Sequence, residues 1–318
     1  MPHFLDKSIM SGAPDPDFSI VVANWNGASF LRRGLGSLIL SAHATHRPHE
    51  IIVVDDASTD DSPSLIEKEF PSVRLIRHHN NQGFGITAND GVRAARAKIV
   101  VLCNNDLIAR EEFIPHLLAP LSNSAIFAVS GKTIDWEDGK PNHIEMHAVW
   151  RNGLLAQYHS DPMEPVETTF FQGGACACRR DVFLQLGGFC PIFEPGYWED
   201  YDLGYLARKA GWRILYEPRA IAIHLGKASM SARYGRDRLE IILRRNQILF
   251  TWLNLSDSAL WLRHCFQFPI ALLRDLARTE NSPLAKGFIR AVPLVGKVFA
   301  ERLRRRSELR KSDREIIQ

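Results

Sequence analysis

Two acidic segments of the chain carry the side chains best suited to chemistry. Asp55 and Asp56 follow one apolar, β-branched run, and Asn105 and Asp106 follow another. Each run is typical of a buried parallel strand, and open α/β sheets bind their ligands at the carboxyl ends of such strands. We therefore predict that both segments lie at one edge of a sheet, where they can hold a nucleoside and a metal-bound diphosphate.

The first acidic pair allows two interpretations. A carboxylate at a strand end can accept the N3–H of uracil or thymine while its neighbour orients the loop. Acids at this position can instead cap the next helix, because a helix N-terminus favours negative charge. Asp55 and Asp56 by themselves do not decide between a nucleoside site and a helix cap.

The second pair and a histidine are candidate metal ligands. A diphosphate needs a hard divalent cation, which prefers oxygen ligands, and one carboxylate together with the phosphates can hold it. Asn105-Asp106 could also be an ordinary turn. His224 ends an apolar strand and would be structural on its own, but it can complete the coordination shell if Asp106 holds a metal. Gly226 and Lys227 follow it and could contact phosphate.

A third acidic pair is a candidate general base. Glu199 and Asp200 are adjacent, and neighbouring carboxylates raise each other's pKa, which can prepare one of them to deprotonate an acceptor hydroxyl. Tyr197 and Trp198 would then form a flat apolar wall for a sugar ring. The alternative is again a helix cap, because these acids precede a helix predicted over 203–210.

The elements that must position these residues alternate along the chain. We predict strands over 18–23, 50–54, 73–77, 98–103, 126–131, 212–216 and 220–224. The predicted helices are 28–42, a helix that follows the second strand and ends at residue 70, 89–97, 111–121, 179–186 and 203–210. This alternation predicts a βαβ sheet. Residues 135–167 are polar and irregular, which indicates a loop or a hairpin insertion. From residue 236 onward the pattern is helical only.

Missing motifs exclude several classes of enzyme. The chain has no G-x-G-x-x-G after a strand, no G-x-x-x-x-G-K-[ST] and no G-x-S-x-G, which argues against dinucleotide-binding dehydrogenases, P-loop NTPases and α/β-hydrolases. The five cysteines are odd in number and include Cys103 inside a strand, so a reducing compartment is expected. Cys176, Cys178 and Cys190 lack the usual zinc spacing and are predicted to be buried thiols. The first 17 residues have no apolar core of a secretory signal.

The charge is unevenly distributed. The chain as a whole has a net charge of +3, yet residues 231–318 carry 18 Lys/Arg and 9 Asp/Glu. A basic, amphipathic, helical region is compatible with contact at a membrane surface, with helices packed on the body, or with a homodimer interface. No nucleic-acid motif accompanies these charges, so no nucleic-acid partner is expected.

The ordered set of motifs resembles the inverting glycosyltransferase family 2, which has the GT-A fold. The resemblance covers residues 18–255. The motifs Asn-Gln-Gly-Phe-Gly and Asn-Asn-Asp are most similar to those of the bacterial rhamnosyltransferase-like branch of the family. The motifs that carry it are Ser19–Asn26, Ile51–Asp60, Asn80–Gly85, Asn89–Gly91, Val101–Asp106, Gly173–Ala175 and Trp198–Asp202.

The resemblance implies a role for each matching residue. The nucleotide would be bound by Asn24, Asp55, Asp56, Asn89 and Asn105, the metal by Asp106 and His224, and the sugar or the acceptor by Gly173, Gly174 and Trp198. Asp200 would be the catalytic base, with Glu199 beside it. One position departs from the family, because Asn104 stands where many members have Asp, and this leaves a single carboxylate for the metal.

The same resemblance implies an activity. A UDP- or dTDP-linked sugar would be transferred with inversion to a saccharide or lipid-linked acceptor, with Mg²⁺ or Mn²⁺, in cell-surface polysaccharide synthesis. The expected domains are an N-terminal tail (1–17), a GT-A catalytic domain (18–235) and a helical, basic C-terminal region (236–318). The expected location is cytoplasmic, at the inner face of the membrane if the C-terminal helices bind it. The alternative is a catalytically silent nucleotide-sugar-binding module on the same fold.

Overall fold

A large mixed sheet forms the body of the protein. The computed structural model describes residues 15–225, 234–278 and 281–317. The strands of this sheet are β1 (Phe18–Asn24), β2 (His49–Asp55), β3 (Arg74–Arg77), β4 (Ile99–Asn104), β5 (Leu107–Ala109), β6 (Ile126–Asp135), β7 (Pro141–His143), β10 (Val166–Glu167), β11 (Ala175–Arg179) and β12 (Arg213–His224). Their order is β10-β12-β6-β11-β4-β1-β2-β3, with β5 on β12 and β7 on β6. A separate hairpin consists of β8 (Glu145–Arg151) and β9 (Leu154–Ser160).

Ten α-helices within the described ranges surround the sheet. They are α1 (Ala28–His43), α2 (Ser62–Glu69), α3 (Phe84–Ala94), α4 (Phe113–Leu118), α5 (Arg180–Gln185), α6 (Glu199–Lys209), α7 (Arg236–Asn254), α8 (Ser258–Arg278), α9 (Pro283–Ala291) and α10 (Val295–Arg305). None of the described helices is long and apolar enough to cross a membrane.

The parallel centre of the sheet explains why the predicted site residues meet. β1 lies between β2 and β4, and both pairings are parallel. The register places Asn24 opposite Asp55, and the neighbouring Ala23 opposite Asn104. Three polar strand ends therefore share one edge of the sheet. This edge is the one at which α/β folds bind ligands.

Three hydrophobic clusters hold the elements together. Two of them cover the faces of the main sheet. The third joins the β8–β9 hairpin, α6 and the C-terminal helices through buried side chains such as Leu155, Tyr205, Phe250 and Phe268. The C-terminal helices thus share a core with the body, and the division at residues 235 and 236 stays a prediction.

Some element boundaries differ from the prediction. α3 begins at Phe84, five residues before the predicted start, directly after Gly83 with its positive φ of 91°. The two strands predicted over 212–224 are one strand with an irregularity between Glu217 and Ile221. The insertion over 135–167 contains a hairpin whose turn, Asn152-Gly153, has φ angles of 53° and 81°, as two-residue hairpin turns require.

Two buried ion pairs connect α6 to the C-terminal region. Arg305 donates to both carboxylate oxygens of Asp202 at 2.8 and 2.6 Å, and both side chains are buried. Lys209 donates to Asp313 at 2.8 Å, again with both side chains buried. Asp202 belongs to the acidic segment Trp198–Asp202, but the structure uses it as an attachment point for α10.

Replacing Arg305 with alanine should therefore destabilise the fold. We expect the free energy of unfolding to fall by about 3–5 kcal/mol, because the change leaves the Asp202 carboxylate buried without its cation. Urea denaturation followed by tryptophan fluorescence measures this difference. Arg306→Ala, on the exposed neighbour, is the matched control and should change stability by less than about 0.5 kcal/mol. Equal stabilities of the two variants would contradict the assignment.

Candidate active site

One cleft collects the predicted catalytic and ligand-binding residues. It has a volume of about 510 Å³ and opens at the carboxyl edge of the sheet. Asp56, Asp106, Asp200 and His224 all line it, although they come from four different strand or helix ends. The spatial convergence on which the sequence-based hypothesis depends is therefore present.

Asp56 lines one part of the cleft. Its carboxylate accepts hydrogen bonds from the backbone N–H groups of Gln82 and Gly83 at 2.8 and 2.9 Å. His78 Nδ1 lies 2.8 Å from Asp56 Oδ1, and His78 Nε2 lies 3.2 Å from an Asp90 carboxylate oxygen. The segment Asn80–Gly85 thus folds around Asp56, which fixes the orientation of this carboxylate.

A chain of side-chain hydrogen bonds crosses the ends of β2, β1 and β4. Asn24 donates to Asp55 at 2.8 Å and accepts from the Asn105 amide at 2.8 Å. The other oxygen of Asp55 accepts the Ser58 backbone N–H. A Cβ on Gly27 would lie 2.2 Å from Asn105 and 2.3 Å from Asn24, so only glycine permits this approach. Asp55 is fully buried and orients Asn24, while Asn24 and Asn105 line the cleft.

Asp106 and His224 form the candidate metal pair. β5 follows Asp106 and pairs with the end of β12, so that His224 lies opposite Leu107. His224 Nε2 is then 3.3 Å from Asp106 Oδ1. Asp106 Oδ1 and His224 Nδ1 are buried and have no hydrogen-bond partner among the described residues.

The side chains of Asp106 and His224 are suitable ligands for a divalent cation whose other ligands come from outside the protein. A carboxylate oxygen and an imidazole nitrogen suit Mn²⁺ or Mg²⁺, and a buried oxygen without a hydrogen bond is costly unless something binds it. Within the described ranges, no group of three or more His, Cys, Asp or Glu side chains could hold a metal. Asn104 also lines the cleft, packed against Gly174, where a Cβ would lie 2.2 Å from its amide oxygen.

Asp200 is the candidate general base, and it lines the cleft. The backbone N–H groups of Gly173 and Tyr201 donate to its two oxygens at 3.0 and 2.8 Å, which fixes the carboxylate. Burial raises the pKa of Asp200 to about 6, and these hydrogen bonds act in the opposite direction. Burial and the charge of Asp200 raise the pKa of Glu199 well above its usual range, and one oxygen of Glu199 has no hydrogen-bond partner in the described structure. The two acids thus differ in environment.

A strained turn delivers this acidic pair to the cleft. Tyr197 and Trp198 have φ angles of 70° and 80°, a left-handed conformation that is unusual for residues with large side chains. Asn246 of α7 is fully buried, and its amide donates to the carbonyls of Phe193, Gly196 and Tyr197 at 2.7–2.9 Å. The turn is therefore held from outside the cleft by a helix of the C-terminal region.

Not every predicted site residue reaches the cleft. Asn89 exchanges two hydrogen bonds with the Phe189 backbone and lies outside the lining, as does Asp55. Gly173 contacts Asp200 and is also absent from the lining, whereas Gly174 is present. Trp198 lines the cleft but is largely buried, and Tyr197 is the more exposed aromatic side chain. Gly226 and Lys227 lie outside the described residues.

Sequence reasoning missed two positioning residues. The contact of His78 with Asp56 spans 22 residues, and no local pattern indicates it. Asn246 does carry a signal, because an asparagine that interrupts an apolar helical pattern needs hydrogen-bond partners once it is buried. The pattern could show that Asn246 needs partners, but not which carbonyls they are.

Comparison with known proteins shows the family of the chain. Residues 19–187 match the family described as Glycosyl transferase family 2. The chain is 30% identical over 270 residues to the N-acetylglucosaminyl-diphospho-decaprenol L-rhamnosyltransferase of Mycobacterium tuberculosis H37Rv, covering 76% of this chain and 85% of that protein. It is 26% identical to the succinoglycan biosynthesis protein ExoO of Rhizobium meliloti, covering 78% and 72% of the two chains.

Solved structures share the fold at low sequence identity. S. aureus TarS (residues 1–349) in complex with UDP-GlcNAc superposes with a TM-score of 0.57 at 17% identity, covering 92% of this chain and 88% of TarS. GalNAc-T7 with UDP, GalNAc and Mn²⁺ gives 0.58 at 18% identity, covering 80% of this chain and 49% of that one. The prediction of a GT-A fold with a helical C-terminal region is confirmed. The chain belongs to glycosyl transferase family 2 and is an inverting glycosyltransferase that uses a nucleotide-sugar donor.

Proposed function

We propose that the enzyme transfers a sugar from a UDP- or dTDP-linked donor to a hydroxyl of a lipid-linked saccharide, in the synthesis of a cell-surface polysaccharide. The observation that carries the proposal is the single cleft that joins Asp56, Asp106, Asp200 and His224. The M. tuberculosis relative, named for transfer of L-rhamnose to a diphospho-decaprenol-linked sugar, supports the class of acceptor.

The donor nucleotide is assigned to the part of the cleft that Asp56 lines. A pyrimidine N3–H is a donor, and a fixed carboxylate such as Asp56 is a suitable acceptor for it. Asn24 and Asn105, locked together by their own hydrogen bond, line the cleft beside the strand ends. A rigid amide pair at this position would contact the ribose without losing much side-chain entropy.

Asp106 and His224 are assigned to Mg²⁺ or Mn²⁺. Two protein ligands leave coordination positions for donor diphosphate oxygens and water. When bound, the cation would neutralise charge that develops on the leaving diphosphate. The metal-bound structures of GalNAc-T7 and of the Pyrobaculum calidifontis mannosyltransferase support a divalent cation in this fold.

Asp200 is assigned to the acceptor. Its carboxylate takes the proton of the attacking hydroxyl, whose oxygen bonds to the anomeric carbon as the bond to the diphosphate breaks. Attack from the side opposite the leaving group gives the inverted product. The carboxylate of Asp200 is fixed by two backbone hydrogen bonds and has a pKa of about 6, which argues against the alternative of a silent binding module, because such a module has no need of a base.

The rate of transfer should depend on the ionisation of Asp200. The base works only when it is deprotonated, and burial raises its pKa to about 6. We therefore expect kcat to fall about tenfold per pH unit below about pH 6 and to level off above it. Steady-state rates measured across this range with donor and metal saturating test the expectation. A flat profile down to about pH 5 would contradict the role of Asp200.

A donor panel tests the proposed function. Thermal shifts with UDP-, dTDP- and GDP-linked sugars, each with Mn²⁺ or with EDTA, should show stabilisation by the pyrimidine donors that depends on the metal. Transfer to a diphospholipid-linked GlcNAc acceptor, with the anomeric configuration of the product read by NMR, then tests the reaction. Stabilisation by GDP-linked sugars alone would overturn the assignment of a pyrimidine nucleotide as the donor.

A lipid-linked acceptor would bring the enzyme to a membrane, on the cytoplasmic side where nucleotide sugars are made. Contact with the membrane surface is therefore part of the proposal. The homodimer stays a prediction, which sedimentation of the full chain would test.

A further inference from the structure

α8 presents a large apolar face away from the rest of the protein. One side of the helix is buried through Leu260, His264 and Phe268, and Phe268 belongs to the third hydrophobic cluster. The opposite side carries large apolar side chains that are each between 47% and 68% exposed: Leu262, Phe266, Ile270, Leu273 and Leu276. Exposed hydrophobic groups of this size and continuity usually mark an interaction surface.

The spacing of these residues makes them one stripe. Steps of four, four, three and three residues keep the side chains on one face of a helix with 3.6 residues per turn. At 100° per residue, Arg263 and Arg274 fall along one border of that stripe. We call Leu262, Phe266, Ile270, Leu273 and Leu276 the apolar stripe of α8.

A basic pocket lies at the foot of the same helix. It has a volume of about 430 Å³, and its lining includes Arg151 of the hairpin, Arg244 of α7 and Arg274 of α8. Asp275 also lines it, but this carboxylate accepts the Ala285 backbone N–H at 3.0 Å. Three guanidinium groups in one pocket are suited to bind a phosphate group, since arginine can donate two hydrogen bonds to one phosphate.

The stripe and the pocket require one occupant that is apolar and anionic together. A bilayer of anionic lipids has acyl chains for the stripe and phosphates for the pocket. A second copy of this chain is less suitable, because residues 231–318 carry 18 basic and 9 acidic residues and would face their own positive charge. A second exposed apolar group, of Ile289, Val292, Phe299 and Leu303 with Lys286, Arg290 and Lys297 nearby in sequence, extends the same chemistry along α9 and α10.

We propose that α8 lies in the surface of an anionic bilayer, with the apolar stripe among the acyl chains and a lipid phosphate in the pocket of Arg151, Arg244 and Arg274. The inference rests on the proposed function for its purpose, since docking would bring the cleft to a lipid-linked acceptor. Binding itself needs neither donor nor acceptor, and can therefore be measured separately from turnover.

Flotation of the full chain with vesicles tests the proposal. Vesicles of phosphatidylcholine with phosphatidylglycerol should bind the chain more tightly than phosphatidylcholine alone. The double variant Phe266→Gln/Leu273→Gln should weaken binding to both kinds of vesicle by about tenfold or more. Leu40→Gln is the matched control, because Leu40 is 66% exposed on α1 of the catalytic body, and it should bind as the wild type does.

The pocket is tested by charge. Arg151→Gln/Arg274→Gln should remove most of the preference for phosphatidylglycerol and keep the weaker binding to phosphatidylcholine, while the exposed Arg33→Gln on α1 should change nothing. A fluorophore on Cys265, the exposed cysteine of α8, should shift to the blue when vesicles are added. Adding free inorganic phosphate at millimolar concentration should not release the chain from vesicles.

Several outcomes would overturn the proposal. These are equal binding of the stripe variant and the wild type, no flotation of the wild type with anionic vesicles, or a dimer in sedimentation that the stripe variant abolishes, which would assign the stripe to a second copy. Metal-dependent hydrolysis of the donor, measured without vesicles, should be the same in all of these variants. If the wild type does not hydrolyse the donor, the proposed function is rejected, but the result on vesicle binding remains valid.

Discussion

Replacing Asp200 with asparagine is expected to lower kcat by about 10²–10⁴-fold, the usual contribution of a general base. Asparagine keeps the shape of the side chain, and its single amide oxygen can still accept one of the two N–H groups, that of Gly173 or that of Tyr201. It cannot take a proton from the acceptor hydroxyl. Donor affinity should be nearly unchanged, because the nucleotide is assigned to the part of the cleft that Asp56 lines. Single-turnover transfer and calorimetric binding of the nucleotide separate the two effects.

Glu199→Gln is the informative comparison. Burial raises the pKa of Glu199 well above its usual range, so a neutral glutamine resembles the protonated form of this acid. We expect a much smaller loss of kcat than for Asp200→Asn. Wild-type turnover in Asp200→Asn, or the larger loss in Glu199→Gln, would assign the base differently.

Replacing Asp106 with asparagine is expected to lower kcat/KM by about 10²–10³-fold. The variant would bind the cation weakly, and the cation is the group that would stabilise the negative charge developing on the diphosphate. Asp106 is the one carboxylate of the candidate metal pair, since Asn104 and Asn105 precede it in the segment. The variant should also lose the increase in melting temperature that Mn²⁺ gives in the presence of UDP. Rates and melting curves over a range of Mn²⁺ concentrations measure both quantities.

His224→Gln and Asp138→Asn complete the metal test. His224 faces Asp106 at 3.3 Å, so its loss should weaken Mn²⁺ binding while a high concentration of the ion restores part of the rate. Asp138 is an exposed acid outside the cleft lining, and its replacement should leave the metal response unchanged. Asp106→Asn with a normal response to Mn²⁺ would contradict the assignment of the metal site.

The site residues that lie at the ends of strands could be predicted from the sequence. Asp56 and Asp106 follow continuous apolar runs, and the carboxyl ends of parallel strands must meet at one edge, so their proximity follows from local patterns. His224 was harder to place. Its position depends on the pairing of β5 with β12, and β5 has only three residues, too few to give a strand pattern.

Long-range polar contacts were beyond the sequence. The sequence predicted the base at Asp200 of the acidic segment Trp198–Asp202, but it assigned no role to the neighbouring Asp202. The structure directs Asp202 to Arg305, 103 residues away, and leaves Asp200 at the cleft. Asp55 and Asn89 are likewise polar residues in motifs typical of a binding site, but their side chains form hydrogen bonds with other groups of the protein. Local composition does not tell an internal partner from a ligand.

The amide of Asn246 has a consequence for protein engineering. A single side chain of α7 restrains three carbonyls of the turn that precedes the general base. Chimeras that exchange C-terminal regions between relatives, in order to retarget the acceptor, would also exchange this restraint. A hybrid should retain turnover only if its junction falls after α7, or if the donated region supplies an asparagine at the same place.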